Sequence, residues 1–230
     1  MSSESKRQVL AIDGPAGSGK STVSRAVGGL LGLPVLETGA MYRALTWAVL
    51  EEGVDPADGP EVARVAERIR VEVGSRVEVD GRDVTAAIRT PAVNAAVSAV
   101  SAVPAARLAM VAAQRRWIDE HGGGVLEGRD IGTVVAPGAV LKVFLVASEE
   151  ERARRRFAQD VGHQPEAGVE ATRADIIRRD ALDSTRAVSP LAAAADAVVL
   201  DTTGRAVADV VKEIVDRYRQ AMRSQETEPP

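Results

Sequence analysis

The chain has 230 residues, with 29 Lys and Arg against 33 Asp and Glu, a formal net charge of −4 and no cysteine. That length suits one large domain or a core carrying an insertion. The mild acidic excess argues against a general nucleic-acid binder, and the missing cysteines exclude a disulfide framework or a thiolate metal site.

Residues 1–7 are polar, unlike a signal peptide, and no apolar run approaches the length of a bilayer. The expectation is a soluble, cytoplasmic protein with no membrane partner. Val9-Leu10-Ala11-Ile12 is a short apolar run suited to a buried parallel strand. Gly14-Pro15-Ala16-Gly17-Ser18-Gly19-Lys20-Ser21 follows and fits G-x-x-x-x-G-K-[ST], after which Ser21-Thr22-Val23 opens a helix. A loop placed between strand and helix N-terminus points a row of N–H groups at polyphosphate oxygens. Lys20 is expected to reach the β- and γ-phosphates and the Ser21 hydroxyl to ligate Mg²⁺. The loop therefore predicts a nucleoside triphosphate as ligand.

A second strand at 33–36 is closed by Glu37-Thr38-Gly39, and Ala40 begins the next helix. Turn residues crowd 53–60, and a short helix is expected over 61–69. Val71, Val73, Val77 and Val79 then alternate with polar residues, and Asp80-Gly81 is a two-residue hairpin signal. Antiparallel hairpins are foreign to a doubly wound parallel sheet, so 70–90 is predicted to be a small β insertion. Helices over 91–101 and 104–120 begin on prolines, and Gly122-Gly123-Gly124 is expected to end the second.

Val125-Leu126 and 140–146 are predicted as further buried parallel strands. A helix from Ser148 carries Glu149, Glu150 and Glu151 in its first turn and Arg152, Arg154, Arg155 and Arg156 beyond, matching its dipole. A loop over 162–168, a helix over 171–182, a last strand at 197–200 and a closing helix over 207–222 complete the pattern; 224–230 is expected to be a disordered tail.

Strands alternating with helices after such a loop predict a three-layer α/β/α P-loop fold with a parallel core sheet. In it the chemistry gathers at the carboxyl ends of the strands, where Thr38, Arg43, Glu127-Gly128-Arg129-Asp130 and Asp201-Thr202-Thr203 stand.

Five segments in order carry a resemblance. They are the P-loop, Glu37-Thr38-Gly39-Ala40-Met41-Tyr42-Arg43, Ile88-Arg89-Thr90, 127–135 beginning Glu127-Gly128-Arg129-Asp130, and Arg178-Arg179-Asp180 through Arg186 to Leu191. Together, over roughly 9–218, the chain resembles the bacterial cytidylate kinase family. The resemblance implies a P-loop kinase with a core (8–60, 122–147, 170–222), a monophosphate-binding insertion (61–121) and a short lid (148–169) within one domain, expected to be monomeric. It implies ATP with Mg²⁺ as co-substrate and CMP or dCMP as acceptor. By resemblance, Gly14 to Thr22 and the lid arginines Arg152 and Arg156 face ATP. Thr38, Arg107, Asp130 and Arg186 match positions near the cytosine, Ser98, Arg179 and Asp183 those facing the sugar, and Arg43 and Arg129 the acceptor-phosphate clamps. Lys20, Arg43, Arg129 and Arg186 are the expected catalytic cations. Glu127 stands where many members carry aspartate; the extra methylene keeps the charge, and Glu127 joins Ser21 as the expected metal-facing group, directly or through water.

Charge chemistry agrees with that reading. Moving a phosphoryl group between two anions requires neutralising charge on many oxygens, and planar guanidinium forks suit it. A phosphate monoester, with a second pKa near 6, is already ionised at neutral pH, so no general base is needed. His121 and His163 are read as surface residues, Met41 and Tyr42 as core. Two alternatives stand beside this one: a related kinase preferring UMP, and a GTP-binding switch suggested by the D-x-x-G string at 201–204, although no N-K-x-D segment accompanies it.

Overall fold

The structure, a computed structural model, describes residues 8–160, 168–186 and 188–227. The polar segment 1–7, His163 with most of the expected 162–168 loop, and residues 228–230 of the expected tail lie outside the described residues.

In chain order come β1 (Gln8–Asp13), α1 (Lys20–Leu31), β2 (Val35–Glu37), α2 (Thr38–Glu51) and α3 (Gly59–Arg68). A small meander follows, β3 (Val71–Val73), β4 (Val77–Val79) and β5 (Arg82–Asp83), then α4 (Pro91–Ala102) and α5 (Pro104–His121). The chain ends with β6 (Gly123–Gly128), β7 (Leu141–Val146), α6 (Glu149–Asp160), α7 (Val169–Ser184), β8 (Val198–Asp201) and α8 (Val207–Thr227).

The large sheet is all parallel, in the order β2-β6-β1-β7-β8. Side chains on β1 alternate between two cores. Val9 and Ala11 pack with α2 to α5, while Leu10 and Ile12 pack with Val23 and Val27 of α1 and Val211 and Ile214 of α8. Burial on both faces explains why this strand reads as a continuous apolar run. Three layers result, with β1 at the centre, so the loop that follows it has the exits of β6 and β7 on either side.

Local chemistry sets the helix starts. Asp58 accepts the Glu61 N–H at 3.1 Å and caps α3; Pro91 and Pro104 occupy first turns, where a missing N–H costs nothing. The meander is antiparallel, as the alternation predicts, and its turn has Asp80 at φ 49° and Gly81 at φ 79°, the primed geometry of a two-residue hairpin.

Three expectations are corrected. Gly122 alone caps α5; Gly123 and Gly124 are the first residues of β6. They are glycines because of crowding: a Cβ on Gly124 would lie 2.8 Å from the Trp117 ring. Thr38 and Gly39 belong to α2 instead of a strand-closing turn. The closing helix runs on to Thr227, so 224–227 is helical where a disordered tail is expected.

One feature has no sequence signature. Ile131–Val135 forms a π-helical turn after β6. Its opening N–H groups, on Ile131 and Gly132, donate to the two Asp13 carboxylate oxygens at 2.9 and 2.8 Å, and Arg115 donates to the carbonyls of Val134 and Val135 at its far end. Among the described residues no single helix is long and apolar enough to cross a membrane.

Candidate active site

The P-loop begins where β1 ends. A Cβ on Gly14 would lie 2.2 Å from the Leu145 carbonyl oxygen, so only glycine lets the loop turn beside β7. Lys20 is buried and curls back to donate from Nζ to the Pro15 carbonyl at 2.8 Å. Ser21 donates from Oγ to Glu127 Oε1 at 3.1 Å, which brings the carboxyl end of β6 against the first turn of α1. Burial, then the positive charge of Arg129, lowers Lys20 to about 7. Burial raises Glu127 above the ordinary carboxylate range, with Lys20 opposing. Asp13, under the loop, is raised to about 6 by burial against the two amide hydrogen bonds it accepts.

A chain of polar contacts leads away from the loop. Arg129, first residue after β6, donates from Nη1 to the Gly14 carbonyl at 2.8 Å and from Nε to Asp183 at 2.9 Å. Asp183, near the end of α7, also pairs with Arg186. Arg186 in turn donates to the Ser101 hydroxyl on α4 at 2.9 Å. The Ser101 carbonyl accepts from Arg107 Nη1 at 3.1 Å, and Arg107 Nη2 lies 2.6 Å from Asp130. Burial opposes ionisation of Asp183, yet Arg129 and Arg186 together outweigh it and hold this carboxyl below its usual range. Arg107 lies 5.1 Å above the Tyr42 ring, so its two terminal nitrogens are held by charge and carbonyl and its face by the aromatic ring, while its buried Nε has no hydrogen-bond partner among the described residues.

Most of these residues line one cleft. Ala16, Gly17, Gly19, Lys20, Ser21 and Thr22 form one wall. Thr38, Arg43, Arg107, Arg129, Asp130, Arg179, Asp183 and Arg186 supply most of the polar groups of the remaining lining, to which Glu127 and Arg156 also belong. Thr38 is fixed by donating to the Glu127 carbonyl at 2.8 Å, and Arg43 by donating to Asn94 at 2.6 Å and to the Ile88 carbonyl at 3.0 Å. Arg179 is lowered to about 10 by burial and then by Arg129, and its Nε is buried with no hydrogen-bond partner among the described residues. The site thus holds more cation than its carboxylates offset.

Of the predicted residues, Gly14, Pro15 and Ser18 of the loop are not among those lining the cleft, and two others stand apart from it. Ser98 lines an adjoining hollow between α4 and α7. Arg152 is buried behind the P-loop, where it pairs with Asp180 and donates to the Ala16 carbonyl at 3.1 Å. Asp180 also accepts the Ala16 N–H at 3.1 Å. Arg155, one turn along α6, instead donates to Thr202 Oγ1 at 2.9 Å and to its carbonyl at 2.8 Å, and the Thr202 hydroxyl reaches the Ser18 carbonyl at 3.2 Å. The 201–204 string closes β8 as a local turn, with Asp201 accepting the Thr203 N–H at 2.8 Å.

Sequence reasoning missed Asp13 and Ser101, and gave Asp180, within the Arg178-Arg179-Asp180 segment, no role of its own. Ser101 alone left a local trace, its three-residue spacing from Ser98 on one face of α4. Tyr42, expected as core, is buried and also lines the cleft.

Such an arrangement can bind two anions side by side with cations between them. The family model for cytidylate kinase matches residues 10–220. The chain is similar to a cytidylate kinase of Mycolicibacterium paratuberculosis, 52% identical over 217 residues, covering 92% of this chain and 95% of that protein. It is also similar to a cytidylate kinase of Limosilactobacillus reuteri, 49% identical over 215 residues, covering 89% and 92% respectively. Among solved structures, a gluconokinase from Sinorhizobium meliloti has TM-score 0.52 at 16% identity, covering 97% of this chain and 99% of that one, a likeness of fold alone. With the P-loop, the parallel sheet and the arginine-lined cleft in register with a match over most of its length, the chain belongs to the cytidylate kinase family of nucleoside monophosphate kinases.

Proposed function

We propose that the protein transfers the γ-phosphoryl group of Mg-ATP to the 5′-phosphate of CMP, and of dCMP, yielding ADP and the pyrimidine diphosphate. One observation carries this reading: Lys20 and Ser21 of the P-loop share a single cleft with Arg43, Arg129 and Arg186. Donor phosphates on the P-loop amides and an acceptor phosphate on the arginines would face each other for in-line transfer, which positioning and electrostatics accelerate without covalent chemistry. The acceptor monoester is already ionised at neutral pH, so the reaction requires no general base.

The cytosine end rests on Thr38, Arg107 and Asp130. A cytosine ring offers an amino donor beside a ring-nitrogen acceptor, and a carboxylate next to a guanidinium is its complement. Uracil turns the donor into an acceptor and would face the Asp130 carboxylate with like polarity, a penalty that a buried site enforces strongly. Asp183, kept ionised by its two arginines, suits a sugar hydroxyl, with Arg179 beside it in the cleft and also lining the adjoining hollow that holds Ser98. Arg156 reaches the cleft from the proposed lid, 148–169, while Arg152 holds the lid to the P-loop.

Ser21 and Glu127 fit Mg²⁺: two neighbouring hard oxygens at the loop's edge suit an ion that takes its remaining ligands from phosphate and water. When bound, the ion would neutralise charge on the donor phosphates. A second hollow behind the loop, bounded by Arg155, Thr202 and Val210, is where the donor base would lie.

Coupled measurement of ADP formation with CMP, dCMP, UMP and AMP tests the proposal. CMP and dCMP should lead; no acceptor-dependent ADP with any of the four, or UMP in first place, would overturn it.

A further inference from the structure

Ser101 is not among the residues that the motifs single out, yet it sits where two arginine clusters meet. It lies in the last turn of α4, 6% exposed, and lines the cleft. Its hydroxyl accepts from Arg186 Nη2 at 2.9 Å and lies 3.2 Å from the Ser98 carbonyl, to which it donates. Its carbonyl accepts from Arg107 Nη1 at 3.1 Å. One residue therefore touches Arg107 of α5 and Arg186, which follows α7, although 85 positions separate it from the latter.

The contact with Arg186 matters because of what lies beyond it. Arg186 pairs with Asp183, Asp183 with Arg129, and Arg129 with the Gly14 carbonyl. Each link is charge-assisted and half-buried or better, so the guanidinium planes are held to one orientation. Burial lowers Arg186 from the ordinary guanidinium range, with Asp183 opposing, and its Nε has no partner among the described residues. Arg186 Nη2 thus donates both to Asp183 and to the Ser101 hydroxyl. Without it, Arg186 would be anchored on the Asp183 side only.

We infer that Ser101 is a positioning residue of the acceptor site. Its hydroxyl orients Arg186, and through Asp183 orients Arg129, so that the acceptor half of the cleft is set relative to the P-loop. This rests on the proposed acceptor role of the arginine-lined half. Alanine at this position removes the hydroxyl, leaves the carbonyl used by Arg107 and raises helix propensity, so the fold should survive.

Steady-state kinetics of the full chain and of Ser101→Ala and Ser101→Thr test the inference, with CMP and ATP varied in turn and thermal stability recorded. Loss of a hydrogen bond to a charged group predicts about a tenfold fall in kcat/KM for CMP. The KM for ATP should stay within about twofold and the melting temperature should fall by only a few degrees, while threonine, which keeps the hydroxyl, should recover most of the loss. An unchanged kcat/KM for CMP, or equal losses toward CMP and ATP, would overturn the assignment. Absence of turnover by the unaltered protein with every acceptor would instead overturn the kinase reading beneath it, and this inference with it.

Discussion

Arg129 and Gly14 are 115 positions apart, and the Arg129 guanidinium donates to the Gly14 carbonyl at 2.8 Å. The residue that leaves β6 thus holds the entry of the loop that leaves β1, the neighbouring strand. The same side chain pairs with Asp183. Its charge is therefore placed between the loop wall and the arginine wall, where a transferred phosphoryl group would pass.

Replacing Arg129 with alanine should lower kcat by about 10²–10³, the loss seen when one preorganised charge stabilising a transition state is removed. Lys20→Ala should lose a similar factor. Both variants should keep the circular dichroism of the parent. A rate for Arg129→Ala within a few-fold of the parent would remove this arginine from the reaction.

Lys20, lowered to about 7, makes nucleotide binding depend on protons. Free protein at pH 8 carries this lysine mostly neutral; a polyphosphate favours the ammonium, so binding must draw a proton from solvent. Uptake approaching one proton per ATP is expected at pH 8 and almost none at pH 6, and affinity should fall as pH rises above 7. Calorimetry in buffers of different ionisation enthalpy measures it, and equal heats in all buffers at pH 8 would contradict it. For stability the sign is opposite. The unfolded chain binds more protons between about 7 and 10.5, so this group's contribution to stability rises with pH over that window.

Arg107 and Asp130 are both almost fully buried, 2% and 5% exposed at their side chains. Asp130→Ala leaves the guanidinium without its counter-charge, which should destabilise the fold by about 3–5 kcal/mol and lower Tm on the order of 10 °C. Asp130→Asn should cost less in stability while still raising the KM for CMP. A Tm for Asp130→Ala equal to the parent's would show that Arg107 finds another partner.

Glu127→Gln keeps the shape of the side chain and discards its charge. The Mg²⁺ concentration for half-maximal rate should rise about tenfold, with the KM for CMP little changed. An identical Mg²⁺ titration would place the ion away from this carboxylate.

What could be read from the chain alone was whatever neighbours in sequence decide. Glycine spacing before Lys20-Ser21 declares a phosphate loop, because backbone conformation and the following helix start are local. Asp80-Gly81 declares its hairpin for the same reason, and alternation along β3 and β4 reports a half-buried surface. Packing between distant segments decided the rest. Arg152, Arg154, Arg155 and Arg156 are equivalent by composition; the approach of Asp180 on α7 draws Arg152 behind the loop, Thr202 takes Arg155, and Arg156 lines the cleft. Gly123 and Gly124 look like a helix terminator until Trp117 and β1 crowd them. Ser101 and Asp13 acquire their roles from Arg186 and from the π-turn after β6, contacts that exist only once the strands are side by side. Hydrogen bonds spanning a hundred residues leave no periodicity in sequence, and the fold alone brings their ends together.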